Sequence, residues 1–291
     1  MSIPQDSQPI GQPVAAGIDE AWVINLDKRP DRLESFLANH PLIRDRVQRL
    51  SAVDGRSLTL TPRIARLFKP NNYKWRKSIM GCALSQLSLW HRLAQEPSDG
   101  TAYLILEDDA RLLPEWIDRW EQAYRSGSLP TDWEIIFLGG VLPQNRHAFQ
   151  MCIEPANDQV ARIKENKAFG QHTPNRYFHF CAYAYVLSAR GARKVLEKIN
   201  NRGGIWSGAD IVLTGALDVH FLNPLVAGCF QDQDHAYLQQ DFANFSETHS
   251  YDSDICNNLE CFPAEEAVTS FDPETPIDLS GALTDAKPVM L

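Results

Sequence analysis

Short, uninterrupted apolar runs alternate along this chain with longer segments whose apolar residues recur at helical spacing, and no other feature constrains the fold as much. Ala21–Leu26 (AWVINL) has the length of a buried strand, and Arg29–Asn39 follows with Leu33, Phe36 and Leu37 on one helical face. Leu50–Val53 reads as a second strand, closed by the turn pair Asp54-Gly55. Gly81–Ala94 carries Leu84, Leu87, Trp90 and Leu93 at helical spacing, and Ala102–Leu106 (AYLIL) is a strand that runs straight into Glu107-Asp108-Asp109. Pro114 opens a helix bearing Trp116, Ile117, Trp120 and Tyr124. Glu134–Leu138 is a further strand ended by Gly139-Gly140, and Phe180–Leu187 is another, with Ser188 to cap a helix through Ile199. The alternation predicts an α/β fold whose open, largely parallel sheet is covered by helices. Ligands of such sheets bind beyond the carboxyl ends of the strands.

The folded unit is expected over residues 19–262. The Pro/Gln/Gly-rich opening, 1–18, reads as a flexible leader, and 263–291, acidic and Pro-rich with Lys287 as its one basic residue, as a loosely held tail. A net charge of -9 argues against general nucleic-acid binding, which needs a basic footprint on the phosphates. No signal peptide or membrane-spanning run is legible, so the chain reads as a soluble, cytoplasmic protein. Cys82, Cys152, Cys181, Cys229, Cys256 and Cys261 are scattered without a CxxC pair; Cys82, Cys181 and Cys229 sit in apolar runs and read as reduced thiols. Cys256 and Cys261 are spaced to pair or to share a metal, without a second pair to support zinc.

Glu107, Asp108 and Asp109 carry the chemistry. Adjacent acids repel one another, and a divalent cation makes them favourable; hard carboxylate oxygens suit Mg²⁺ or Mn²⁺. In an extended chain Glu107 and Asp109 point one way and Asp108 the other, so the metal is assigned to Asp109 with Glu107 assisting. The alternative is a solvated acidic loop with Asp109 capping the next helix. Past the first strand, Arg29 and Arg32 stand where a nucleotide would lie, and Asn25 is placed to bond a base or ribose edge; a charged surface helix would read the same way. Asp210, after Ser207-Gly208 and at the head of an apolar helix, is the candidate general base, with helix capping as its rival role. His220, His235 and His249 are candidates for a third metal ligand, His235 foremost because Asp232, Gln233 and Asp234 surround it. Trp75, Tyr183 and Trp206 offer rings that could stack on a base or a sugar, with core packing as their default role.

Several segments in order resemble glycosyltransferase family 25, which includes bacterial lipooligosaccharide and collagen galactosyltransferases. They are VINLDKRPDRL near the start, SAVDG (Ser51–Gly55), GCALSQLSLW (Gly81–Trp90), LILEDDARL (Leu104–Leu112), FLGG (Phe137–Gly140), AYAYVLSARGARKVL (Ala182–Leu196) and YDSDI (Tyr251–Ile255). The resemblance implies a single GT-A type domain, a Rossmann-like open mixed sheet flanked by helices. It also implies a UDP-sugar donor, often UDP-galactose, a saccharide acceptor hydroxyl, and Mn²⁺ or Mg²⁺ at the acidic cluster. On it, Asn25, Leu26, Arg29, Arg32, Asp54, Gly55, Ser85, Gln86 and Asp108 are expected to bind the nucleotide sugar. Asp109, Glu107 and His235 are expected to hold the metal, and Asp210 to take the acceptor's proton in an inverting transfer. The acceptor loops fall in Leu142–Arg176 and Gln231–His249; a lipid-linked acceptor would bring the chain to the inner membrane face without an anchor of its own. One position departs from the family: Ser85-Gln86 stands where Ser-His is usual, and an amide neither titrates near neutral pH nor readily binds a metal. That substitution keeps open an inactive sugar-nucleotide-binding protein, beside a metal-dependent phosphoester hydrolase using the same acids.

Overall fold

The computed structural model describes residues 13–139, 153–163, 182–223, 226–228, 259–263, 276–287 and 289–290. Chain order begins with β1 (Glu20–Asn25), α1 (Pro30–Asn39), β2 (Val47–Ser51), α2 (Pro62–Leu67), α3 (Lys77–Ala94), β3 (Ala102–Glu107), β4 (Arg111–Leu112) and α4 (Trp116–Arg125). It continues with β5 (Ile135–Phe137), β6 (Ile153–Pro155), β7 (Val160–Ile163), β8 (Ala184–Ser188), α5 (Ala189–Asn201), α6 (Ala209–Ala216), β9 (Val219–Leu222), β10 (Ala227–Gly228), α7 (Leu279–Ala286) and β11 (Val289–Met290). Among the described residues nine strands form one sheet in the order β11-β2-β1-β3-β8-β5-β9-β7-β6, and β10 pairs with β4 apart from it.

The strands alternate their side chains between two cores, as a pleated strand must. Trp22 and Ile24, Tyr103 and Ile105, Tyr185 and Leu187 face one side, where α2, α3, α5 and α6 pack. Ala21 and Val23, Leu104 and Leu106, Ala184 and Val186 face the other, against Phe36 of α1 and Trp116 and Trp120 of α4. Because both faces are covered, the central strands are apolar throughout, which is why they read as continuous runs. Ser188 caps α5 as its sequence position implies, its Oγ accepting from Gly191 N at 3.1 Å.

The fold is the expected α/β class, a Rossmann-like mixed sheet flanked by helices, but it is less parallel than the alternation suggests. β1 is parallel to β2 and β3, and β5 to β9, whereas β8 runs antiparallel between β3 and β5. A strand buried on both faces has the same composition in either direction, so its polarity is invisible until the connections are known. β2 begins at Val47, before the apolar stretch Leu50–Val53, because Val47, Gln48 and Arg49 pair with Ala21, Trp22 and Val23 while only half buried.

The segment expected to be a loose tail contains an ordered piece. α7 lies on α2, with Ala282 fully buried and Asp285 accepting from Thr61 Oγ1 at 2.6 Å, and β11 adds an antiparallel strand to β2. A low apolar content hid this segment, since a single buried face of Ala282, Leu279 and Leu283 is enough to dock a short helix. At the other end Val14 and Ala15, within the expected leader, are buried against the second core. Cys82 and Cys261 are free thiols; Cys152, Cys181, Cys229 and Cys256 lie outside the described residues. Among the described residues no helix is long and apolar enough to cross a membrane.

Candidate active site

β2, β1 and β3 run parallel, so Ser51, Asn25 and Glu107 end together on one edge of the sheet. The chain leaves β1 for β2 on one side and reaches β3 on the other, with α1 and α3 on opposite faces. Their divergence leaves the crevice in which open α/β sheets take ligands. Leu26, Arg32, Asp54, Gly55, Ser85, Glu107, Asp108 and Asp109 all line that cleft, joined by Lys28, Arg56, Ser78 and Cys82.

Arg32 neutralises the cluster from α1. It sits one turn before Phe36, on the face that packs against the sheet, which carries its guanidinium inward beside the strand ends. There it pairs with Asp108 and, at 3.0 Å, with Asp109. Asn25 supports Asp108 from behind, donating to Oδ2 at 2.7 Å and to the Arg29 carbonyl at 2.9 Å while accepting from Arg49 at 3.0 Å. With its amide fully engaged and its side chain buried, Asn25 shapes the site rather than offering a free edge to a ligand. Arg29 bonds Asp31 instead of lining the cleft.

Burial raises all three carboxyl groups above their ordinary values. Glu107 is pushed up to about 8, by burial first and the Asp109 charge second. Asp108 rises to about 6, burial outweighing Arg32 and Asn25, and Asp109 is raised by burial against the pull of Arg32. Without a cation the cluster therefore holds protons that free carboxylates would have lost. Asp109 Oδ1 is buried and meets no hydrogen-bond partner among the described residues, an arrangement a polar atom keeps at a cost of about 1–3 kcal/mol. A bound cation would satisfy that oxygen. Among the described residues no three His, Cys, Asp or Glu side chains converge as metal ligands.

Ser85 buttresses the cleft wall, and Gln86 lies behind it. Ser85 Oγ accepts from Val53 N at 2.9 Å and donates to the Gly81 carbonyl at 2.8 Å, pinning the loop after β2 to α3. Gln86 is fully buried and donates through Nε2 to Glu107 Oε1 at 3.0 Å, so it touches the acid and not the cleft. Gly81 makes this close packing possible, because a Cβ there would stand 2.6 Å from Val53 O and 2.7 Å from Gly55 N. Gly81→Ala is expected to push the Val53–Gly55 wall off α3 and destabilise the protein by about 1–3 kcal/mol, the range for an overpacked contact. Thermal unfolding measures it, and a melting temperature equal to the parent's would show that the wall yields without cost.

Asp210 enters the first turn of α6, where its Oδ1 accepts from Ile211 N at 2.8 Å; the N-cap itself is Gly208. The Cys82 thiol registers its proximity: burial pushes the thiol up, and the charges of Glu107, Asp210 and Asp109 add to the rise. Asp210 thus shares the electrostatic field of the acidic cluster, although it does not line the cleft as it stands. His220 is buried in β9, which β5 and β8 separate from β3; His235 and His249 lie outside the described residues. Tyr183 and Trp75 are core residues, and Trp206 stacks under Arg202 with 4.4 Å between guanidinium and ring. Lys28, which bonds Asp54 at 2.8 Å, was legible as a basic residue after β1 but not as one that lines the cleft.

This sheet, its crevice and the acid cluster beside it define a Rossmann-like α/β protein. A sequence profile described as "Glycosyltransferase family 25 (LPS biosynthesis protein)" matches residues 18–207, and the chain belongs to that family. It is 30% identical over 203 residues to a Bos taurus protein named probable inactive glycosyltransferase 25 family member 3, covering 65% of this chain and 30% of that one. Human procollagen galactosyltransferase 2 is 27% identical over 199 residues, 63% of this chain and 28% of its own length. Procollagen galactosyltransferase 1 of Danio rerio is 26% identical over 190 residues, 62% and 29% of the two chains. The chain thus spans less than a third of the length of these curated relatives.

Proposed function

We propose that this chain transfers a hexose, galactose foremost, from a UDP-sugar to a hydroxyl of a saccharide acceptor, with inversion at the anomeric carbon. The observation that carries this reading is the cleft at the β2-β1-β3 edge, where three carboxyl groups, each raised above its ordinary value by burial, share the lining with Arg32 and Lys28. Basic side chains suit the diphosphate, and the unsatisfied Asp109 Oδ1 suits a divalent cation, Mn²⁺ or Mg²⁺. Asp109 and Glu107 would hold that ion, with diphosphate oxygens and water completing its oxygen ligands. When bound, it supplies charge neutralisation for the departing nucleoside diphosphate.

The protein's own groups divide the remaining work. Arg32 and Lys28 draw the diphosphate into the cleft, and Asn25 keeps Asp108 turned toward Arg32. Asp210 takes the proton of the acceptor hydroxyl as its oxygen bonds to the anomeric carbon and the bond to UDP breaks. Asp210→Asn should then lower transfer by more than about 100-fold, the upper part of the range for a positioned base, and leave UDP binding intact. Turnover within a few-fold of the parent would return Asp210 to a helix-terminus role. The donor is tested by UDP release over UDP-galactose, UDP-glucose and their N-acetyl forms, with free and lipid-linked saccharides as acceptors.

A second reading, a sugar-nucleotide-binding protein without turnover, draws on Gln86 and on the word "inactive" in the name of the Bos taurus relative. UDP binding without release from any donor would select it. A two-metal phosphoester hydrolase has less support, because it needs more converging ligands than the described residues bring together.

A further inference from the structure

Glu107 is held from behind by a chain of hydrogen bonds whose direction is fixed at both ends. Trp90 Nε1 donates to Tyr185 OH at 2.8 Å, Tyr185 OH donates to Gln86 Oε1 at 2.5 Å, and Gln86 Nε2 donates to Glu107 Oε1 at 3.0 Å. An indole nitrogen is a donor only. It occupies the Tyr185 oxygen as acceptor, so the phenol proton turns to the next group, the Gln86 amide oxygen. That leaves the amide nitrogen, and no other orientation of the amide, to face Glu107. The relay runs one way, from a group that can only donate to the Glu107 oxygen that accepts.

Trp90, Tyr185 and Gln86 are all fully buried, on α3 and β8, so the relay sits on rigid elements. Its last bond takes up Oε1, which also receives the Cys82 thiol at 3.8 Å. Glu107 lines the cleft, and its side-chain hydrogen bonds among the described residues, from Gln86 and Cys82, both fall on Oε1. We propose that Trp90, Tyr185 and Gln86 are positioning residues that tether one oxygen of Glu107 and turn the other into the cleft for the cation and diphosphate. This inference rests on the functional reading above. Gln86 then has a task that needs no titration: an amide with one end accepting and the other donating transmits the polarity set by Trp90.

The relay is serial, and that makes it testable apart from fold stability. UDP affinity is measured with Mn²⁺ and with EDTA by calorimetry on the full chain, and thermal unfolding is recorded for each variant. Tyr185→Phe removes only the oxygen, leaving a 3.4 Å bond from Nε2 to the Ala182 carbonyl as the one other hold on the amide's orientation. Gln86→Leu removes the last donor. Each is expected to weaken Mn²⁺-dependent UDP binding by about tenfold, the low end of the effect of partners that orient metal ligands. In a serial relay Tyr185→Phe adds nothing once Gln86 is Leu, and neither variant matters once Glu107 is Gln. Losses that multiply in the double variant, or that persist in the Glu107→Gln background, would overturn the relay while leaving the site assignment standing. A parent protein that binds UDP equally with Mn²⁺ and EDTA would overturn the cation assignment and the relay's purpose together.

Discussion

Asp109→Ala is expected to remove the divalent-cation dependence of UDP binding, a loss of more than about 100-fold in Mn²⁺, while the ligand-free protein stays at least as stable as the parent. The loss exceeds the 10- to 100-fold typical of residues that merely orient a ligand, because in the proposed site Asp109 would supply the oxygen itself. Stability is preserved for a separate reason. Asp109 Oδ1 is buried without a partner, and the Asp109 charge pushes on Glu107. Deleting a group that is both unsatisfied and repulsive relieves the folded state, even though Arg32 keeps only Asp108. Opposite movements of binding and stability are the signature of a residue kept for its ligand. Calorimetry with Mn²⁺ and EDTA, beside a thermal scan, measures both. A variant that binds UDP with the parent's Mn²⁺ dependence would remove Asp109 from the metal site.

Arg32→Met should act in the opposite sense on the fold. It strips the cationic partner from a buried Asp108 and from Asp109, and breaking a buried pair costs about 3–5 kcal/mol. For a chain of this size that is a fall in melting temperature on the order of 10 °C. The deficit should depend on pH. Asp108 already titrates at about 6, and without Arg32 its pKa climbs further, so the lost partner matters most above that value. Below about pH 5 the acid is protonated in either protein, and the difference shrinks.

The parent carries a related dependence of definite sign. Glu107 at about 8 and Asp108 at about 6 both lie above their unfolded values, so the folded state binds more protons than the unfolded one in between. Their contribution is fully present below about pH 4 and is lost as pH rises through 6 and then 8. The ligand-free protein should therefore lose melting temperature between pH 5 and pH 9, and Mn²⁺ with UDP should recover most of it. A flat profile without ligand would show that the cluster is not desolvated as the structure has it.

Much of the scaffold was legible in the residues. The β1, β3, β5 and β8 runs announce themselves because each is covered on both faces, and the α1, α3 and α4 faces because Phe36, Leu84, Leu87, Trp90, Trp116 and Trp120 fall at helical spacing. Shorter pieces were not. α2 is a single capped turn-and-a-half, β9 follows a helix without a turn signal, and α7 with β11 sits in an acidic stretch that composition alone assigns to a tail. The site divides in the same way. Residue types at the strand ends pointed to the edge of the sheet where the cleft lies, yet spacing could not tell that Arg32 turns inward while Arg29 bonds Asp31, or that Lys28 lines the cleft.

The sequence by itself determined the family, the α/β layering and the placement of three acids at the end of a buried strand, because these depend on the order and period of residues along the chain. Tertiary structure alone decided the polarity of β8, the burial that raises the three carboxyl groups, and the company each one keeps. Asn25, Arg32 and Glu107 come from three separate elements, and Trp90, Gln86 and Tyr185 from two more, α3 and β8. Hydrogen-bond direction and desolvation are properties of what surrounds a group in space, and the surroundings of Glu107 exist only once α3 and β8 have packed behind β3.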